Sequence, residues 1–387
     1  MTTPRFWSKF EIVYEDLNHS QVQQDDIMRT LQLWLRRSRQ HPLSFRLIHK
    51  YAGSPTNPVG STRYLTTLVS HASRWQNVQF HGPSESLVLL PSQLPNGKLP
   101  TLRSLSFHVN GSAGFPFDVA SLNIPWSQLS GLDLQIYQDN AHSLNECFTF
   151  LSSAQNLTCV ALNATFPFIL GDHLETITLP YLRSFKLSIQ GSDSEGTAEL
   201  SLRDFLGHVS IPNLTTFSLE WLVDRVGDGG ESCWTAVHHR FLDFLGSSAN
   251  TLETLELAYL PIQDHEIIGC LDELPKLKSL DLKFSLSSQK LDPITDNFLD
   301  YLQRSREDAT GQISLEHLHL LKTLKLQCSG VYLNQAMLQA LVDNRAGVGL
   351  TAFELMTMKS MSRTFMDRVA MWRSRGFGFS VSTLNMW

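Results

Sequence analysis

Leu252-Glu-Thr-Leu255-Glu-Leu257 and, 25 residues on, Leu277-Lys-Ser-Leu280-Asp-Leu282 are two copies of one phrase, apolar-x-x-apolar-x-apolar. Four more copies are as clear: Leu102-Arg-Ser-Leu105-Ser-Phe107, Leu182-Arg-Ser-Phe185-Lys-Leu187, Leu214-Thr-Thr-Phe217-Ser-Leu219 and Leu321-Lys-Thr-Leu324-Lys-Leu326. Looser copies begin at Trp75, Leu129, Leu157 and Leu350, so that successive starts lie 25 to 44 residues apart. Because the chain is 42% hydrophobic, some copies are expected by chance, but two companions argue for a true repeat. Pro stands two residues before the first apolar position at Pro100, Pro180, Pro212 and Pro275. Ser or Thr stands just before the second at Ser104, Ser184, Thr216, Thr254, Ser279 and Thr323. Proline cannot donate a ladder hydrogen bond, so it belongs ahead of a strand and not inside a central one.

Between the phrases the apolar spacing turns helical. Leu65, Leu68, Val69 and Ala72 share one helix face, as do Ile27, Leu31, Trp34 and Leu35. Shorter clusters lie in Cys147–Leu151, Phe241–Leu245, Phe298–Leu302, Met337–Val342 and Phe365–Val369. Strands alternating with helices at this interval mean parallel strands joined by helical crossovers. No unit can bury its apolar face alone, so the expected fold is α/β, a leucine-rich-repeat-like solenoid. It would have a curved parallel sheet, helices on the outer face and irregular repeats. The longest intervals contain a Gly-rich excursion at Val226–Ser232, the stretch Ser285–Gln289 and a polar helix ending at Arg304–Asp308. Trp221, Trp234 and Tyr259 flank the Gly-rich excursion and are expected either to pack under it or to anchor a partner.

Composition narrows the function. Thirty-one Lys and Arg against 37 Asp and Glu give a net charge of −6, without the basic face that nucleic-acid binding needs. The basic run Arg36-Arg37-Ser38-Arg39 suits a helix C-terminus, with Pro42 close behind. Five scattered cysteines show neither metal-ligand spacing nor a disulfide framework. There is no signal-peptide run and no stretch of apolar residues long enough to span a bilayer. An intracellular, cytoplasmic or nuclear protein without membrane or nucleic-acid partners is expected.

No catalytic or cofactor motif emerges. His265-Glu-Ile-Ile-Gly opens like a metalloprotease helix but lacks the second His. The adjacent His238 and His239 suit a solvated loop better than a metal. Nucleophile-elbow, phosphate-loop and dinucleotide fingerprints are missing. No enzyme activity, no cofactor and no metal site is expected.

Binding is therefore expected on the outward positions of the strands. Side chains alternate, so residues between the second and third apolar positions face away from the core. Read from copy to copy, the central position gives Gln79, Ser106, Asp133, Ala161, Lys186, Ser218, Glu256, Asp281, Lys325 and Glu354. Two residues further on come His81, His108, Gln135, Asn163, Ser188, Glu220, Ala258, Lys283, Gln327 and Met356. The residues expected to meet a protein partner on the concave face are Ser106, His108, Asp133, Gln135, Lys186, Glu220, Glu256, Asp281, Lys283 and Lys325. Glu220, Glu256 and Asp281 lean acidic, which favours a basic partner.

The N-terminal quarter carries more specific phrases. Thr3-Pro4-Arg5-Phe6-Trp7-Ser8, Trp34-Leu35-Arg36-Arg37-Ser38 with His41-Pro42-Leu43, and His71-Ala72-Ser73-Arg74-Trp75 occur in order ahead of the Pro-x-Leu-x-Ser-Leu repeats. In this the chain resembles the basidiomycete F-box proteins with irregular leucine-rich repeats. The resemblance implies a non-catalytic substrate-binding repeat domain of a ubiquitin-ligase receptor. In that family an F-box docks the Skp adaptor of a cullin ligase and the repeats hold the substrate. Residues 1–60 contain no Leu-Pro-x-Glu-type F-box opening, so the resemblance carries over the repeats and not the adaptor-binding residues. The alternative is a free-standing repeat scaffold that binds proteins outside ubiquitination.

Residues 1–74 are read as an N-terminal cap, 75–361 as the irregular repeats, and 362–387 as a C-terminal capping helix and tail. In the cap Phe6, Phe10, Ile12 and Tyr14 alternate like a strand, and Ser44–His49 offers a second one, with Phe45 and Leu47 inward. At the other end Met366, Val369 and Trp372 mark a closing helix over Ser362–Arg375.

Overall fold

The computed structural model describes residues 3–15, 21–50, 59–87, 89–94, 99–110, 117–137, 141–169, 175–193, 196–225, 234–284, 292–307 and 313–383. The chain divides into two compact units, Met1–Thr165 and Phe166–Trp387. Both are α/β, built from parallel strands with helices between them.

In the first unit β1 (Lys9–Glu15), β2 (Leu43–Lys50), β3 (Trp75–Pro83), β4 (Ser104–Asn110), β5 (Gly131–Tyr137) and β7 (Cys159–Thr165) pair in sequence order, all parallel. The two-residue β6 (His142–Ser143) lies beside β7. Helices α1 (Gln21–Arg37), α2 (Val59–Val69), α3 (Leu90–Gln93) and α4 (Leu144–Ser153) supply the crossovers.

The second unit pairs β9 (Ser184–Asp193), β11 (Thr216–Arg225), β12 (Thr254–Ala258), β13 (Ser279–Lys283), β16 (Thr323–Cys328), β17 (Ala352–Thr357) and β18 (Gly378–Thr383) in the same way. Its helices are α5 (Thr197–Gly207), α6 (Thr235–Gly246), α7 (Asp264–Asp272), α8 (Asp296–Gln303), α9 (Gln335–Ala346) and α10 (Arg363–Ser374). Two small ladders sit apart: β8 (Ile177–Thr178) with β10 (Val209–Ser210), and the antiparallel β14 (Ser305–Glu307) with β15 (Ile313–Leu315).

The phrase explains the pairing. Its second and third apolar residues are aligned from strand to strand: Val78 with Leu105 and Leu132, and Phe217 with Leu255, Leu280, Leu324 and Phe353 by way of successive pairings. These side chains are buried and meet the helices, as where Phe217 packs on Phe241 and Phe244 of α6 at ring-centroid distances of 6.1 and 5.0 Å. Each such side chain contributes about 1.5–3 kcal/mol on leaving water. The first apolar residue sits before the strand, except for Trp75, which opens β3, and is buried too. It closes a β-turn, with the Leu102 N–H donating to Leu99 O, Leu182 to Leu179, Leu214 to Ile211 and Leu277 to Leu274. The preceding prolines thus occupy the second turn position, where their fixed φ is already correct.

A spine of hydrogen bonds links the turns. In the second unit the N–H groups of Glu253 and Thr254 both donate to Thr215 O, those of Lys278 and Ser279 to Glu253 O, and those of Lys322 and Thr323 to Lys278 O. Thr351 and Ala352 then donate to Lys322 O. Hydroxyls reinforce it where the sequence allows, with Thr215 Oγ1 on Arg183 O at 2.8 Å and Thr351 Oγ1 on Lys322 O at 3.0 Å. Helix starts are closed by side chains: capping boxes at Ser143/Glu146 and Gln263/Glu266, and caps at Thr295, Asn334 and Ser362.

Several expectations are corrected. The register extends beyond the ten phrases, to Trp7-x-x-Phe10-x-Ile12 on β1, Pro42-x-x-Phe45-x-Leu47 on β2 and Gly376-x-x-Phe379-x-Val381 on β18. Phe6 does not belong to a strand. It lies in the 3-10 turn Pro4–Trp7, 81% exposed, because Pro4 starts a helical turn and the strand begins only at Lys9. The polar helix ends at Gln303, and Ser305–Glu307 turns into β14 instead of extending it. His238 and His239 lie within α6 and not in a loop, since Val237, Phe241, Phe244 and Leu245 give that segment a buried helical face. Trp221 and Trp234 are buried edge-to-face against each other, 6.5 Å apart, while Tyr259 stays 38% exposed. The excursion Val226–Ser232 and the stretch Ser285–Gln289 lie outside the described residues. Ser362 caps α10, whose Phe365, Val369 and Trp372 are buried, whereas Met366 is 40% exposed.

Candidate functional site

The strand registers fix which outward residues are neighbours. In the first unit Glu11 stands beside Arg46, Arg46 beside Gln79, Gln79 beside Ser106 and Ser106 beside Asp133. One step along the strands Ile48, His81, His108 and Gln135 form the next row. Here the expected residues do converge. Asp133 Oδ2 accepts from Ser106 Oγ at 3.2 Å and contacts His108 Nε2 at 2.6 Å. The His108 ring lies 4.1 Å from that of His81, tilted by 32°. Burial, aided by His108 and Arg46, holds the His81 imidazole down at about 4, against the opposing pull of Asp133. Gln135, nearly buried, accepts from the Tyr137 hydroxyl at 3.3 Å.

In the second unit the central row runs Lys186, Ser218, Glu256, Asp281, Lys325 and Glu354, one per strand. The next row runs Ser188, Glu220, Ala258, Lys283, Gln327 and Met356. Charge is largely paired within these rows. Lys283 Nζ lies 3.2 Å from Asp281 Oδ2, Lys325 Nζ lies 3.4 Å from Glu354 Oε2, and Ser188 Oγ donates to Glu220 Oε2. Asp281 is 8% exposed, and burial raises its carboxyl despite Lys283. Burial likewise pulls the Lys283 ammonium down, but Asp281 outweighs it and leaves the group above its ordinary value. Glu256 and Lys186 make no ion pair among the described residues. The acidic lean of Glu220, Glu256 and Asp281 is thus tempered by Lys283.

Sequence reasoning passed over Glu11 and Arg46, which meet at 3.5 Å on the same face. The signal was present: inward Phe10, Ile12, Phe45 and Leu47 place Glu11 and Arg46 outward. Of the three aromatics named from the sequence, Tyr259 alone stays half-exposed. It follows β12 with φ of +61°, a backbone region costly for a bulky residue, and its N–H donates to Lys283 O at 2.6 Å.

Among the described residues no group of three or more His, Cys, Asp and Glu is placed to hold a metal ion. Cys147, Cys270 and Cys328 are buried, which pushes each thiol up, Cys328 to about 12. No described helix is long and apolar enough to cross a membrane. These sheet faces, with their aligned polar rows, form the candidate partner-binding surface. No family model and no curated protein matches the chain.

Proposed function

We propose that this chain is a non-catalytic protein-recognition module, an irregular leucine-rich-repeat solenoid that holds a protein partner on the concave face of its sheet. The observation that supports this is the aligned register: each strand presents one outward side chain per row, so each unit offers a regular polar surface of several strands' width. Ser106, His108, Asp133 and Gln135 form the recognising group in one unit, and Lys186, Glu220, Glu256, Asp281, Lys283 and Lys325 in the other. The resemblance of the N-terminal phrases to the F-box repeat family makes a ubiquitin-ligase substrate the favoured partner class. A free-standing scaffold with no tie to ubiquitination is the second reading.

Affinity capture of the full chain from cell extract, with the bound proteins identified by mass spectrometry, separates the two. Co-recovery of a Skp adaptor and cullin supports the ligase reading, and partners without them support the scaffold. In both cases Glu256→Lys combined with Asp281→Lys is expected to release the partner. Retention of every partner by a folded double variant would refute the face as the binding surface.

A further inference from the structure

Two adjoining hollows open on the first unit. One, of 780 Å³, is lined by Lys9, Glu11, Ser44, Arg46, Asn77 and Gln79 among others. The second, of 680 Å³, includes Arg5, Phe6 and Gln76 and shares Lys9 and Ser44 with the first. They thus form one groove over the N-terminal ends of β1, β2 and β3. Its charges are Arg5, Lys9 and Arg46 against the single carboxylate Glu11, a cationic excess in a chain whose net charge is −6.

These cations are poorly committed. Arg5 and Lys9 make no ion pair among the described residues. Arg46 meets Glu11 only at 3.5 Å between half-exposed side chains, a contact of little worth in water, and its Nε is buried without an acceptor. Lys9 and Arg46 are diagonal neighbours, because Lys9 pairs with Ser44, two residues before Arg46. With neighbouring strands about 4.8 Å apart and a rise of about 3.3 Å per residue, such diagonal neighbours stand about 8 Å apart. That is close to the spacing of alternate side chains of an extended chain, about 6.5–7 Å. Asn77, which donates to Ser44 Oγ at 2.8 Å, and Gln79 add amides for a peptide backbone. Phe6, 81% exposed, stands at the end of the groove as an aromatic contact.

We propose that this groove binds an extended acidic segment of a protein partner, with carboxylates at alternate positions meeting Lys9 and Arg46. The inference rests on the protein-recognition reading and names the chemistry of one partner element. Nucleic acid is disfavoured because three cations beside a carboxylate neutralise few phosphates and the rest of the chain repels them.

The test is fluorescence anisotropy of the full chain with a labelled peptide of alternating glutamate and serine. The matching lysine–serine peptide, an oligothymidine and phosphatidylserine vesicles serve as competing probes. The glutamate peptide is expected to bind, to weaken as salt rises, and to lose about tenfold in affinity in Lys9→Glu/Arg46→Glu. The milder Lys9→Gln/Arg46→Gln should weaken it with an unchanged thermal melt, and Lys276→Glu/Lys359→Glu, on exposed lysines outside the groove lining, should leave it intact. Equal binding by wild type and both groove variants, or preference for oligothymidine or vesicles, would overturn the proposal. If cell capture finds no protein partner while the peptide still binds, the recognition reading fails and the acid-selective groove stands. If capture succeeds and the peptide does not bind, the reverse holds.

Discussion

The two units share one inward pattern and differ in what they show outward. On the first, polar side chains are tied by hydrogen bonds around histidines, with Asp133 joining Ser106 and His108. On the second, ion pairs predominate, Asp281 with Lys283 and Glu354 with Lys325, beside one hydrogen bond from Ser188 to Glu220. The backbone is dictated by buried leucines and phenylalanines, which leaves the alternate positions free for recognition chemistry. The same freedom extends to the interior. Among the described residues each unit buries one arginine, Arg74 and Arg345, and uses it differently. Arg74 reaches His41 O and the Ser38 hydroxyl, whereas Arg345 binds the carbonyls of Leu302, His317 and Leu318. Burial lowers both guanidinium groups, Arg345 to about 10, although Tyr301 partly opposes this.

This contrast is most sharply broken at those arginines. Arg345→Met strands three carbonyls and is expected to cost about 4 kcal/mol, whereas Arg74→Met is expected to cost about 2 kcal/mol. Urea unfolding followed by circular dichroism would measure both, and equal losses would erase the difference between the units.

Acid is the next test. Burial holds His71, His81 and His142 below 6.5 in the first unit, and His238 in the second. Below pH 6.5 the unfolded chain therefore takes up protons that the folded chain refuses, so stability falls with pH, for His81 down to about pH 4, and then levels off. Hydrogen exchange should show β3–β5 losing protection before β12–β16, and His81→Asn should flatten that fall. Last comes Lys325→Gln, expected to change stability by no more than about 0.5 kcal/mol, with little response to salt. A larger loss would mean that the ion pairs of the second unit hold the fold and do not merely decorate it.

The fold was legible where leucine recurs. The strands at Leu102, Leu182, Leu214, Leu252, Leu277 and Leu321 all follow the expected register. It was hidden where another residue stands in the first position. At β18 that residue is Gly376, whose φ of +84° ends α10, so the phrase loses its opening apolar mark. Helix α5 was passed over although Ala198, Leu202, Phe205 and Leu206 fall on one helical face, which the structure buries, and Asp193 accepts from the N–H groups of Gly196, Thr197 and Ala198 at its start. The rows of the candidate face followed from period-two alternation alone. Their pairings did not, since Lys283 turns back to Asp281 on its own strand and Lys325 reaches across to Glu354. Those choices depend on side-chain reach and burial, which a linear pattern does not encode.

The spine of carbonyls from Thr215 through Glu253 and Lys278 to Lys322 has an evolutionary consequence. Every junction along it is the same chemical joint: one oxygen receives two successive N–H groups of the next turn. A gene that duplicated or lost a whole strand-and-helix segment would therefore splice like onto like. Lineages could lengthen or shorten such a protein by whole modules, and change the breadth of what it grips without inventing a new contact.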